Sequence, residues 1–186
     1  MKRIGKNTLE FEMPPTILGH AAIGGKKEAE GPLGADYDQT FQDTTLNTES
    51  WEKAEAQLQK EAVALALEKS GFTAGQMDVI FAGDLLNQCI SSTFGLLDFQ
   101  IPFLGQYGAC STMGEGLALA SMTLDGGFGE RAAVVVSSHF CSAERQYRTP
   151  LEYGGQRPPT AQWTATAAGA ALPTPFWSSL ANGSFS

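Results

Sequence analysis

The chain has no apolar run long enough to cross a bilayer. Its longest, 62–67 and 132–136, fall far short of the roughly 18 residues a spanning helix needs. It has few cysteines, at 89, 110 and 141, which cannot all pair with one another, and no CxxC pair, so a reduced, intracellular chain is the simpler expectation. An export signal is not expected either: Met1–Lys6 is basic, but Asn7, Glu10 and Glu12 stand where an apolar core would have to follow. Positive charge is scarce. Twelve basic against twenty acidic residues leave a net charge of −8, which argues against nucleic acid or an anionic membrane surface as the main partner. No lysine occurs beyond Lys69, and the later cations are Arg131, Arg145, Arg148 and Arg157. With 42% apolar residues in 186, the chain can still bury one proper core.

What is there centres on Leu104–Gly127, which reads LGQYGACSTMGEGLALASMTLDGG. A short apolar run from Ile101 to Tyr107 ends at Gly108, and Met113, Leu117, Ala120 and Leu124 then recur at the spacing of one helix face. Gly126 and Gly127 stop that helix. Cys110 therefore sits where a strand feeds a helix. Unpaired N–H groups at a helix N-terminus favour a thiolate or a bound carboxylate. Two readings stand side by side, a reactive or anion-binding cysteine and a small buried hydrophobe.

Elsewhere the pattern alternates strands with helices. Residues 1–15 read as a flexible lead-in, Thr16–Ile23 as a strand containing a packed or hydrogen-bonded His20, and 26–43 as a surface loop. Thr48 or Ser50 can cap a helix with an inner stripe of Trp51, Ala54, Leu58, Ala62 and Leu65, closed by Lys69 and Gly71. Met77–Ala82 and Ala132–Ser137 are buried strands, and Leu85–Asp98 holds a loop and a short helix. Strands without polar alternation predict an α/β fold whose mostly parallel sheet is covered by helices. Ligands of such sheets bind beyond the carboxyl ends of the strands, which here carry 84–88, 108–112 and 137–141. Ser137, Ser138 and His139 could meet Cys110 and Ser111 there, with His139 as a base or simply bonded to a loop. A metal site from Cys110, His139 and Cys141 has no ligand spacing to support it. Arg145 and Arg148 follow within AERQYRTPLEYGGQRPPT and offer forks for a carboxylate, unless Glu144 and Glu152 pair with them.

FLGQYGACSTMGEGLALASM and SSHFCSAERQYRTPLEYGGQRPPTAQWT resemble the stage V sporulation protein AD family, and the resemblance runs from the N-terminus to about Leu172. It implies the thiolase-like fold of ketoacyl synthases, of which this chain holds the N-terminal half, 1–172. It implies a binding protein for dipicolinic acid, free or with calcium, acting in uptake into the developing spore. The expected partners are integral membrane proteins of the same system and, for the full-length protein, a second copy meeting at Leu85–Leu97. The expected place is the cytoplasmic face of the spore or forespore inner membrane. Cys110 matches the thiolase nucleophile, so an acyltransferase of the condensing type and a structural subunit are the alternatives. His139 does not match the second-half catalytic residues, and no cofactor is implied. The ligand set expected is Cys110, Ser111, Ser137, Ser138, His139, Arg145 and Arg148. From Pro173 to Ser186 the sequence departs from the family, as a frameshift or truncation would make it.

Overall fold

The computed structural model describes residues 1–147, 160 and 163–175, the side chains of 145–147 excepted. Its longest element is the capped helix that the sequence pattern predicts. Helix α2 spans Trp51–Ser70. Ser50 caps it by accepting from the Lys53 N–H at 3.2 Å, and Gly71 closes it at φ 73°, a conformation that costs a residue with a Cβ more. Ala54, Leu58 and Ala62 are fully buried, as the stripe requires, while Trp51 and Leu65 are only half-buried. Glu55 and Gln59 lie on the same inner face and are fully buried too.

Six strands form the main sheet: β3 (Thr16–Gly24), β4 (Gln39–Thr40), β5 (Val79–Gly83), β6 (Phe103–Gln106), β7 (Ala132–Ser138) and β8 (Ala167–Thr174). Their order is β4-β3-β8-β7-β5-β6. Five point one way and β8 runs against both neighbours. Ser138 at the end of β7 pairs with Ala167 at the start of β8, so β8 begins at the rim that β7 has just reached and must run back. The strand also continues past Leu172, with Pro173 and Thr174 facing Ile17 and Thr16.

Side chains alternate across the sheet. Ala133 and Val135 face α2 with Ile23, Ile80, Ala82 and Leu172. Val79, Phe81, Ala132 and Val134 face helix α4 (Thr112–Asp125). The two helices cover unequal ground, α2 lying across β3, β8 and β7 and α4 over β7 and β5. On the α4 side β8 meets α4 less than β7 and β5 do.

Three expectations need correction. Residues 1–15 include a hairpin of two short exposed strands, β1 (Lys2–Ile4) and β2 (Thr8–Glu10), turning through Gly5 at φ 64°. Three-residue strands with almost no burial leave no apolar alternation to read. Residues 26–43 hold a single-turn helix α1 (Lys26–Ala29) and β4, pinned where Asp38 accepts from the Ala22 N–H at 2.9 Å and from Lys69 Nζ at 2.6 Å. His20 is exposed, which overturns the packed alternative. Leu85–Asp98 is close to expectation, with α3 (Ile90–Gly95) between two short 3₁₀ turns. Among the described residues no helix is long and apolar enough to cross a membrane. The tail beyond residue 175 and Arg148 lie outside the described residues.

Candidate functional site

The strand–helix turn at Cys110 is built as the spacing requires, with one feature that the spacing does not contain. After Gln106 closes β6, Ala109 takes φ 48°, a left-handed value uncommon for a residue with a Cβ and worth notice where it occurs. A 3₁₀ turn over Ala109–Ser111 then runs straight into α4. The turn is held from both sides. Ser111 Oγ donates to the Gly108 carbonyl at 2.7 Å, and the Gly108 N–H donates to Thr112 Oγ1 at 3.2 Å. Gly83 sits against this turn, since a Cβ there would meet the Gln106 oxygen at 2.4 Å and Thr112 Cγ2 at 2.5 Å. The result is an exposed Cys110 at the mouth of a cavity of about 730 Å³.

That cavity lies on the thinly covered side of the sheet. Val136 and Ser138 of β7, Ala167 and Gly169 of β8, and Ala22 of β3 make its floor, and Met113, Tyr37, Thr164 and Trp163 stand around it. Burial, and then the Glu28 carboxylate, push the Tyr37 phenol up, so it remains a neutral hydrogen-bond donor. No charged side chain lines the cavity among the described residues.

The expected site residues separate. Cys110 and Ser138 reach this cavity, Ser138 with its hydroxyl donated to the Ala165 carbonyl at 2.6 Å. Ser111 is exposed beside it, its hydroxyl spent on the turn. Ser137 borders the cavity, but its strand parity matches Ala133 and Val135, and its hydroxyl meets Glu55 and Gln59 under α2. His139 is fully buried and lines a second cavity of about 410 Å³, with Cys141, Thr44 and Lys27. Its Nδ1 accepts from the Cys141 N–H at 3.2 Å and its Nε2 meets the Thr44 carbonyl at 2.7 Å, which puts the ring proton on Nε2. Burial holds its pKa below the usual histidine value, opposed by the Thr44 carbonyl. His139 is thus the loop-bonded histidine and not a base beside Cys110. Among the described residues no group of three His, Cys, Asp or Glu could hold a metal ion. Arg148 lies outside the described residues, as does the side chain of Arg145.

Other polar residues near the rim are structural. Asp84 is buried and turned inward, accepting from the Leu86 N–H at 2.8 Å and from the Ser92 N–H and hydroxyl at 2.8 and 2.6 Å. Cys89 is buried and donates to the Gln106 carbonyl at 3.2 Å, and burial pushes its thiol up. Sequence reasoning missed Trp163 and Tyr37, whose place at the cavity depends on long-range packing and leaves no local signal. Trp163 stacks on Phe140 at 4.5 Å and carries Lys27 Nζ at 4.1 Å from its ring centre.

The comparisons with known proteins agree with this geometry. The family model described as stage V sporulation protein AD matches residues 5–176. Stage V sporulation protein AD of Bacillus subtilis is 46% identical over 172 residues, which are 92% of this chain and 51% of that protein. The chain therefore spans about half the length of the curated relative it matches. A 3-oxoacyl-[acyl-carrier-protein] synthase III from Aquifex aeolicus superposes with a TM-score of 0.59 at 14% identity, over 86% of this chain and 53% of that one. A variant of OleA from Xanthomonas campestris gives 0.62 at 14% identity, over 93% and 61%. Likeness at this identity shows the fold: an α/β fold of the thiolase-like, condensing-enzyme type, matching about half of the two-half architecture.

Proposed function

The chain belongs to the stage V sporulation protein AD family, and on that basis we propose that it binds dipicolinate as an accessory to its uptake into the developing spore. It does so as a binding protein and not as a catalyst. The observation that carries the reading is the open cavity at Cys110, whose volume of about 730 Å³ lies in the range of small-molecule sites. A flat aromatic ring suits its apolar floor of Ala22, Ala167 and Gly169, and a carboxylate suits the N–H groups of the turn into α4. Tyr37 and Thr164 supply further hydrogen-bond partners. Because the chain is acidic overall, the second carboxylate needs local positive charge, for which Arg145 and Arg148 remain the candidates. The free acid and its calcium chelate both fit this reading.

Acyl transfer through Cys110 is the weaker reading. The turn would suit a nucleophile, but His139 is committed to Thr44 and Cys141 in a different cavity, which leaves Cys110 without that base. Assembly is a further part of the proposal. Strand β6 ends the sheet, and Leu104, Phe94, Leu97 and Phe128 are exposed along that side, which favours a second copy as the occupant of the edge. In the cell the protein would lie on the cytoplasmic face of the spore or forespore inner membrane, held there by integral membrane proteins of the same uptake system.

The test is a thermal melt with and without dipicolinate. A ligand that binds only the folded state adds about 2.7 kcal/mol at a hundredfold excess over its Kd, so the transition should move upward by several degrees. A cooperative melt indifferent to dipicolinate would remove the binding reading for this chain.

A further inference from the structure

A carboxyl group with no role in the cavity lies beneath it. Glu55 of α2 is fully buried, and its partners come from two other elements. Ser137 Oγ of β7 lies 3.0 Å from Oε1, and Ser142 Oγ of α5 (Phe140–Tyr147) lies 2.7 Å from Oε2. The His139 N–H is also directed at the carboxyl group. Ser142 Oγ has a second neighbour, the His139 carbonyl at 3.0 Å, and a hydroxyl has only one proton to give. Ser142 must otherwise share its one proton between two acceptors, whereas a proton on Glu55 lets both contacts be full hydrogen bonds.

We propose that Glu55 is a proton-operated latch between α2 and α5. With the proton in place, Glu55 Oε2–H donates to Ser142 Oγ, whose own proton goes to the His139 carbonyl, and the first turn of α5 is closed against α2. When the proton leaves, Ser142 must turn to the carboxylate and release the His139 carbonyl, and a second buried negative charge appears beside Asp84. The first turn of α5 then loosens. That turn holds Phe140, which stacks on Trp163 at 4.5 Å, and Trp163 lines the cavity at Cys110. The latch therefore bears on the same site, and its link to ligand rests on the binding reading above.

The surroundings set the direction. Burial, followed in smaller part by the Asp84 carboxylate, pushes Glu55 up to about 7, while Ser142, Ser137 and the His139 N–H pull it down. Among the described side chains, the other titratable groups nearest in the chain to these contacts are Glu52 one turn back on α2, the His139 ring, and Cys141 and Glu144 on α5, of which Glu144 accepts from Thr164 Oγ1 at 3.4 Å. Strand β7 and helix α3 contribute none. A carboxyl whose folded pKa is raised gives stability that is complete below its ordinary value of 4.5 and lost as pH climbs through about 7. His139 acts in the opposite sense, since its lowered pKa costs stability as pH falls below 6.5. The two limbs overlap, so only a comparison of variants separates them.

The experiment is ligand-free, so its failure is distinct from failure of the dipicolinate reading. Amide exchange of the 186-residue chain is followed between about pH 5.5 and 8.5 and corrected for base catalysis. Protection of the Ala143 amide, bonded to the His139 carbonyl at 2.9 Å, should fall about tenfold with a midpoint near neutrality. Glu55→Gln, whose amide donates as the protonated acid does, should keep that protection flat. A fall of the same size in Glu55→Gln, or no fall in the wild-type chain, would overturn the latch. A carbon-detected titration of the wild-type Glu55 carboxyl is the second measurement, expected to turn near pH 7. A midpoint in the ordinary carboxylate range would equally overturn it.

Discussion

The same strands build two unlike faces. On the α2 face, Ala133 and Val135 meet Leu58 and Ala62 with no exposure, and even the polar groups there, Glu55, Gln59 and Ser137, are bonded to one another. On the α4 face the odd-and-even alternation delivers Val136, Ser138, Ala167 and Gly169 to a space that no described helix fills. Interdigitated packing makes the first face costly to alter, and its absence leaves the second free to hold a ligand. The molecule thus keeps its tight packing and its candidate site on opposite sides of a sheet one residue thick. Substitutions on the two sides should separate melting temperature from ligand response.

The largest effect belongs to the packed face. Leu58→Ala removes a fully buried side chain between α2 and the sheet and should cost roughly 2–5 kcal/mol, read from denaturant unfolding. The upward shift of the melt on adding dipicolinate should survive in proportion, because Leu58 does not border the cavity. Loss of that shift at a preserved fold would break the separation.

An intermediate effect belongs where the two faces join. Gly83 ends β5, and a methyl group there would strike the Gln106 backbone oxygen at 2.4 Å, which cannot rotate away as a side-chain tip can. Gly83→Ala should therefore cost roughly 1–3 kcal/mol and displace the turn carrying Cys110. It is the substitution expected to lower both melting temperature and ligand response together, and a change in only one would show that the join is looser than drawn.

Much of the packed face could be read from the sequence, and little of the open one. Helix α2 announces itself through Ser50, Gly71 and a stripe at helical spacing, and β7 through an unbroken AAVVV. The turn at Cys110 was legible because glycine marks the strand end and apolar periodicity marks the helix. Ser137 borders the cavity with its hydroxyl turned to Glu55 and Gln59, a direction that strand parity with Ala133 and Val135 contains. The sequence leaves His139 open between a base and a loop-bonded residue because its partner Thr44 lies 95 residues away. Glu55 and Gln59 escaped because a polar residue beside an apolar stripe is ordinarily solvated. Trp163 and Tyr37 reach the cavity only through β8 and the β3–β4 connection, and no local pattern records that meeting.

The smallest change in stability should accompany the largest change in binding. Cys110 is exposed and lines the mouth of the cavity, so Cys110→Phe removes no buried contact and should leave the unliganded melt within about 0.5 kcal/mol of the parent. A ring at that position would project into the space the ligand needs, against a floor of Ala22, Ala167 and Gly169 that has no deeper side chain to yield. The dipicolinate-dependent shift should then disappear while the transition itself stays cooperative. Cys110→Ser supplies the control, since it keeps the volume close and replaces only the thiol. If serine preserves the shift and phenylalanine abolishes it, the cysteine matters for its place at the strand–helix turn. If serine abolishes it as well, the sulfur itself contacts the ligand, and the open face is more specific than its apolar floor suggests.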